Sequence, residues 1–102
     1  MKCISTMKES YVYLLSNKNR TVVYIGVTSN LIERIKNHKN GTGSKFTKKY
    51  NVNELMHFEI FTDINQAISR EKQLKNWNRE WKWNLIKQNN PELIDLYLSL
   101  TL

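Results

Sequence analysis

The sequence predicts one α+β domain, a small three-stranded antiparallel sheet flanked by helices. Two observations carry this reading. Residues 11–16 and 22–28 are rich in β-branched and aromatic side chains and are joined by polar Asn17-Lys18-Asn19-Arg20, the pattern of an antiparallel hairpin. A third alternating run at 55–61 is preceded and followed by apolar residues at helical spacing. With 102 residues, 40% of them hydrophobic, the chain has material for one modest core.

In the hairpin, side chains alternate between faces, so Tyr11, Tyr13 and Leu15 share one, as do Tyr24 and Gly26. With Lys18-Asn19 as the turn, Tyr13 and Tyr24 stand directly opposite each other; other registers remain open. Gly26 marks a place where another group approaches the strand closely. Thr28-Ser29-Asn30 supplies caps for a helix in which Leu31, Arg34, Ile35 and His38 fall on one face. Arg34 and His38 there either act together toward the sheet or lie at the surface.

Residues 40–51 combine glycines with Lys45, Phe46, Lys48, Lys49 and Tyr50, the parts of a phosphate-tracking, base-stacking surface. The alternative is a solvated loop with Phe46 and Tyr50 tucked into the core. On the third strand, His57 is expected to be exposed. Asp63 then opens a helix with Gln66 as its capping-box partner and a stripe of Ile64, Ala67, Ile68, Leu74 and Trp77. Glu71 falls on that stripe, where a carboxylate needs a cation to stay ionised. Asn78 or Arg79 starts the next helix, which buries Trp81, Leu85 and Ile86 and stops at Pro91, with Trp83 unassigned. Residues 92–98 close as a short amphipathic helix placing Leu93, Leu96 and Tyr97 over the core. The expected domain is thus 10–98, between a flexible tail at 1–9 and a short one at 99–102.

Lys and Arg number 16 against 9 Asp and Glu, a net charge of +7, which favours a polyanionic partner. Nucleic acid fits better than a membrane, because no segment has the apolar length to span a bilayer. Cys3 is the only cysteine, so no intrachain disulfide forms, as expected of a cytoplasmic protein.

Tyr11-Val12-Tyr13, Tyr24-Ile25-Gly26, Arg34, His38 and Glu71, in that order, resemble the signature of the GIY-YIG nuclease superfamily. Gly43-Ser44-Lys45-Phe46-Thr47, Arg70-Glu71-Lys72-Gln73 and Asn90-Pro91-Glu92 are similar to segments of small stand-alone proteins related to the excinuclease UvrC catalytic domain. Tyr11 and Val12 depart from the first triplet; the second is intact.

The resemblance implies a metal-dependent endonuclease acting on DNA, structure-selective and linked to repair or processing. It assigns catalysis to Tyr13, Tyr24, Arg34, His38 and Glu71. It makes one of the two tyrosines the general base, Tyr13 in preference to Tyr24, assisted by His38; the other orients water or phosphate, and Arg34 binds the phosphate. Glu71 is the protein ligand of one divalent cation, Mg2+ or Mn2+. Gly26, Lys45, Phe46, Lys48, Lys49 and Asn84 bind nucleic acid; Asn84 comes thirteen positions after Glu71, near where relatives place a phosphate-binding asparagine. Target choice comes from this small surface or from a separate protein partner. The rival readings are a binding module that kept the fold without catalysis, and a protein-interaction domain with a basic face.

Overall fold

A computed structural model describes residues 9–101 of the chain. The order is β1 (Ser10–Ser16), β2 (Val23–Thr28), α1 (Leu31–Lys39), α2 (Lys45–Lys49), β3 (Glu54–Phe61), α3 (Ile64–Asn76), α4 (Arg79–Asn89) and α5 (Tyr97–Leu100). The three strands form one sheet in the order β2-β1-β3, antiparallel throughout. The α+β class and the strand count are those the sequence predicts. Residues 1–8 of the tail expected at 1–9, Cys3 among them, lie outside the described residues.

β1 is central and covered on both faces, so it reads as a nearly continuous apolar run. Val12 and Leu14 join Ile25, Met56, Ala67, Leu74 and Ile86 on one face, under α3 and α4. Tyr13 and Leu15 join Leu31, Ile35, Val52 and Leu55 on the other, under α1. The sheet therefore separates two small cores, and the site is built on the α1 side.

The hairpin register differs from the two-residue-turn expectation. Tyr13 pairs with Gly26 and Leu15 with Tyr24. The connection is longer because Asn17 organises it: its Oδ1 accepts from the backbone N–H of Thr21 (2.8 Å) and Val22 (3.1 Å). Arg20 adopts a left-handed backbone (φ 58°), and its guanidinium ties the loop to Glu54 and the Leu93 carbonyl. A turn built on side-chain acceptors leaves no simple residue count from which to read register.

β3 carries a bulge opposite Leu14 and Leu15, which pair with His57 and Leu55. The extra residue turns Met56 toward the α3 core while Leu55 keeps the α1 face. This shift corrects the reading of His57, which is buried rather than exposed. Its Nε2 donates to Glu59 Oε2 (2.9 Å), and Arg70 of α3 clamps the same carboxylate through Nε and Nη2.

The first four helices are capped by Asn30, Ser44, Asp63 and Asn78, each accepting a backbone N–H of the first turn. At Asp63 the acceptance is from Asn65 N, so the expected reciprocal box with Gln66 is not the cap. α3 is rotated from its expected stripe: Ala67 and Leu74 are buried, whereas Ile64 and Ile68 reach the surface. The small Ala67 lets the helix sit close to β1 and β2. Trp81 is 54% exposed rather than buried; Trp77 meets it edge-on at 5.8 Å, and Trp83 packs against the α3 core.

The closing segment is not the expected helix over 92–98. Leu93 takes φ 54°, which breaks helical continuation, and only residues 97–100 coil. Leu93, Leu96 and Tyr97 nevertheless cover the cores. Side chains hold the segment in place: Asn90 Nδ2 donates to the carbonyls of Met56 and Ile94, and Asp95 Oδ1 accepts from Leu55 N. α5 extends the packed chain to Leu100.

Glu59 makes acid stability a test of this packing. The His57 hydrogen bond, aided by Arg70 and opposed by burial, holds its carboxyl down at about 2, against 4.5 for a free glutamate. Its contribution is complete above pH 4.5 and is lost as pH falls toward 2, where only the folded form resists protonation. The urea midpoint of the wild type should therefore fall steeply across this window. In Glu59→Gln it should be lower at neutral pH and flatter in acid; an unchanged acid slope would remove Glu59 from the account.

Candidate active site

The centre of the α1 face is Tyr13, a large polar side chain with only 1% of its surface exposed. Its ring lies across β2, above Gly26. A Cβ at Gly26 would fall inside van der Waals contact with Tyr13 Oη and within 2.5 Å of Cζ, so no other residue fits beneath the phenol. A hydroxyl buried this deeply needs a partner, since leaving it without one costs about 1–3 kcal/mol. The partner is His38: Tyr13 Oη and His38 Nε2 are 2.9 Å apart.

His38 arrives there because Leu31, Ile35 and His38 form the buried line of α1, at the i, i+4, i+7 spacing of one helix face. The surface alternative for His38 is thereby excluded. The other edge of the imidazole rests on the turn before α2. A Cβ at Gly43 would come within 2.6 Å of His38 Cγ, and Thr47 Oγ1 stands 3.0 Å from Nδ1. Tyr24 completes the cluster, 6.4 Å from the Tyr13 ring and edge-on to His38 at 5.5 Å.

The hydrogen-bond pattern assigns the imidazole tautomer. Thr47 Oγ1 lies 3.2 Å from the Ser44 carbonyl, which can only accept, and 2.8 Å from Ser44 Oγ. With the Thr47 proton on that carbonyl, Thr47 Oγ1 accepts from His38 Nδ1–H. Nε2 then carries a lone pair toward Tyr13, and the phenol donates to it. In the opposite tautomer Nε2–H points at the phenol oxygen, and the phenol proton has no acceptor among the described protein groups, since His38 is the partner of Tyr13 Oη. The first arrangement satisfies every group.

Electrostatics set the same direction. Burial raises the Tyr13 phenol far above its ordinary value, Tyr24 and Glu71 add to the rise, and Arg34 pulls against it. Burial lowers His38, and the Arg34 charge lowers it further. At neutral pH the pair is therefore a neutral phenol beside a neutral imidazole. Arg34 does not make Tyr13 a phenolate, because desolvation outweighs its charge.

Arg34, half-buried one helical turn before His38, and Glu71, half-buried on α3 between Ala67 and Leu74, act on this pair by charge. Glu71 has Lys75 as a partner at 3.2 Å, so the cation beside it is Lys75 of its own helix. Among the described residues no cluster of three His, Cys, Asp or Glu could hold a metal ion. A single carboxylate nonetheless suits a hard divalent ion that keeps its waters and takes its other ligands from substrate phosphate. Glu71 fits that use and would be the protein's ligand.

The nucleic-acid residues divide. Gly26 sits beneath Tyr13 and serves its packing. Lys45, Phe46, Lys48 and Lys49 lie exposed on α2 at the rim of the cluster. Phe46 stacks on Tyr24 at 6.1 Å and 24°, and it and Tyr50 keep 44% and 45% exposure, so neither is tucked into the core. Asn84, exposed on α4, lines a cleft of about 190 Å³ with Trp77, Trp81, Leu85 and Gln88. The sequence reading names Gly43 and Thr47 only as part of a loop pattern. The one local signal is Ser44 capping onto Thr47, which says nothing about the histidine above it.

Residues 9–84 match the GIY-YIG catalytic domain. The chain belongs to the GIY-YIG nuclease superfamily. Among relatives of this GIY-YIG chain, a UPF0213 protein of Syntrophus aciditrophicus is 38% identical over 87 residues, covering 84% of this chain and 98% of the relative. A UPF0213 protein of Clostridium perfringens is 40% identical over 81 residues, covering 79% and 86%. The solution NMR structure of a UPF0213 protein from Bacillus halodurans superposes with a TM-score of 0.52 at 29% identity, over 80% of this chain and 86% of that one. Among the described residues no helix is long and apolar enough to cross a membrane.

The tautomer can be observed directly. Long-range 1H–15N spectra at pH 7 should show His38 protonated on Nδ1, and Thr47→Val should shift it toward Nε2–H while the fold persists. A wild-type spectrum dominated by Nε2–H would overturn the assignment.

Proposed function

We propose that this protein is a metal-dependent endonuclease that hydrolyses phosphodiester bonds in DNA, with a role in DNA repair or processing. The observation that carries the reading is the buried Tyr13–His38 hydrogen bond, a pair oriented to move a proton. Binding alone gives no reason to bury such a pair, which argues against a module that kept only the fold.

The chemistry follows from the neutral state of the pair. A water placed against Tyr13 gives its proton to the phenol oxygen while the phenol proton passes to His38 Nε2. The hydroxide attacks phosphorus as the imidazolium forms, so no free phenolate is needed. Thr47 holds Nδ1–H throughout and keeps Nε2 aimed at the phenol. Arg34 offers forked donors to the phosphoryl oxygens as their charge grows. Tyr24, edge-on to His38, orients the water. When bound at Glu71, Mg2+ or Mn2+ supplies charge against the scissile phosphate and the leaving 3′ oxygen.

Cleavage assays with Mg2+ or Mn2+, and then with chelator, test the reading. Glu71→Ala should abolish cleavage while DNA binding and the fold persist; full activity in that variant would sink the mechanism. Arg34→Lys should lose at least about 10²-fold in single-turnover rate, because a point charge does not reproduce a fork of donors.

His38 sets the acid limb of the pH profile. It accepts a proton only when neutral, and its folded value lies below 6.5. Wild-type activity should therefore persist below pH 6.5 and fall only as pH drops through that lowered value. His38→Ala should be slower and lack this limb; a limb unchanged in that variant would assign it to another group.

A further inference from the structure

Tyr24 is the inner end of a run of aromatic rings that leads out of the site. Phe46 lies over it at 6.1 Å and 24°, and Tyr50 follows at 4.9 Å from Phe46. The two outer rings are nearly half exposed although apolar burial would favour covering them. They stand on and beside α2, whose other exposed side chains are Lys45, Lys48 and Lys49, with Lys49 Nζ 5.2 Å from the Tyr50 ring centre. Residues 40–51 contain no acidic side chain. Half-exposed aromatic rings set among lysines have the composition of a surface that stacks bases and tracks phosphates.

We propose that Phe46 and Tyr50 stack unpaired bases of a DNA strand beside the scissile phosphate, so that the site acts on single-stranded, flap or branched DNA rather than on intact duplex. This rests on the nuclease reading of Tyr13 and His38. The argument is steric. Inside a duplex both faces of each base are already covered, so a protein ring at the surface can receive only a base that is unpaired or taken out of the stack. Duplex readout uses a helix or ribbon lodged in the major groove. α2 is only five residues long and offers rings beside the catalytic tyrosines instead. Tyr24 connects the two functions, packed T-shaped with His38 and stacked with Phe46. A base held on the outer rings would fix the adjoining phosphate near Tyr13 and Arg34.

Binding separates this inference from catalysis. Affinities of the inactive Glu71→Ala protein are measured, with chelator present, for a fluorescein-labelled thymidine oligonucleotide and for a duplex of equal length. The same is done with Phe46→Leu or Tyr50→Leu added, which keep apolar bulk and lose the aromatic face. Each addition should weaken single-strand binding by roughly tenfold and change duplex binding far less. 2-Aminopurine in the single strand should be quenched on binding, and less so by the variants. Equal affinity for both DNAs, unmoved by either substitution, would overturn the proposal. Tighter, equally ring-dependent binding of unpaired RNA would overturn its assignment to DNA. If the wild type cuts duplex as fast as flap DNA and both leucine variants keep that rate, stacking fails while the nuclease reading stands. If no substrate is cut but ring-dependent binding of single strands persists, the nuclease reading fails and the stacking surface stands. Because Tyr50 lies at the surface beyond α2, its variant keeps the test valid if Phe46→Leu does not fold.

Discussion

Burying the Tyr13 hydroxyl is the constraint on which the site depends. β1 is covered on both faces, so its odd-numbered side chains must enter the α1 core, and at position 13 that side chain ends in a polar atom. A buried hydroxyl has to be hydrogen-bonded. The requirement fixes His38 on α1, and the rings that result leave room only for glycine at positions 26 and 43. Thr47 then satisfies the second imidazole nitrogen and ties the α2 turn to the same centre. Hairpin, first helix and second helix are thus joined through one phenol.

The same burial gives the pair its direction. Desolvation disfavours the charged form of each group, raising the phenol and lowering the imidazole, so both rest neutral. Arg34 acts on both: it eases ionisation of Tyr13 and opposes protonation of His38. In the proposed mechanism, a positive charge at that place would assist the first half of the proton relay and resist storing the proton at its end. Substrate phosphate against Arg34 would relieve that resistance, which couples the relay to the presence of substrate.

The opposite face of the sheet has a different task. There the apolar layer of Val12, Leu14, Ala67 and Leu74 positions α3, and the His57–Glu59–Arg70 cluster ties α3 to the edge strand β3. Glu71 follows Arg70 on that helix, so a clamp that fixes Arg70 also limits how the carboxylate can move. Arg70 further lies over the Trp77 ring at 5.2 Å. The Tyr13–His38 face is thus backed by a second face anchored by an ion pair and apolar packing.

The sequence by itself determined the elements whose signals are local. The β-branched and aromatic runs at 11–16 and 22–28 and the alternation at 55–61 mark the strands, and the helical spacing of Leu31, Ile35 and His38 follows from 3.6 residues per turn. Tyr13, Tyr24, Arg34, His38 and Glu71 were legible from order and resemblance. Their interactions were not. The Tyr13–Gly26 register was hidden because Asn17 and Arg20 build the connection with side chains, and His57 was misread because a bulge breaks the period of two. Ile64, Ile68 and Trp81 reach the surface because helix rotation is set by what lies beneath, a fact absent from spacing on one helix. Thr47 became part of the site only through the tertiary fold. A hydrogen bond between residues nine apart in sequence, across a helix end and a turn, depends on how two elements dock, and docking is decided by the whole core at once.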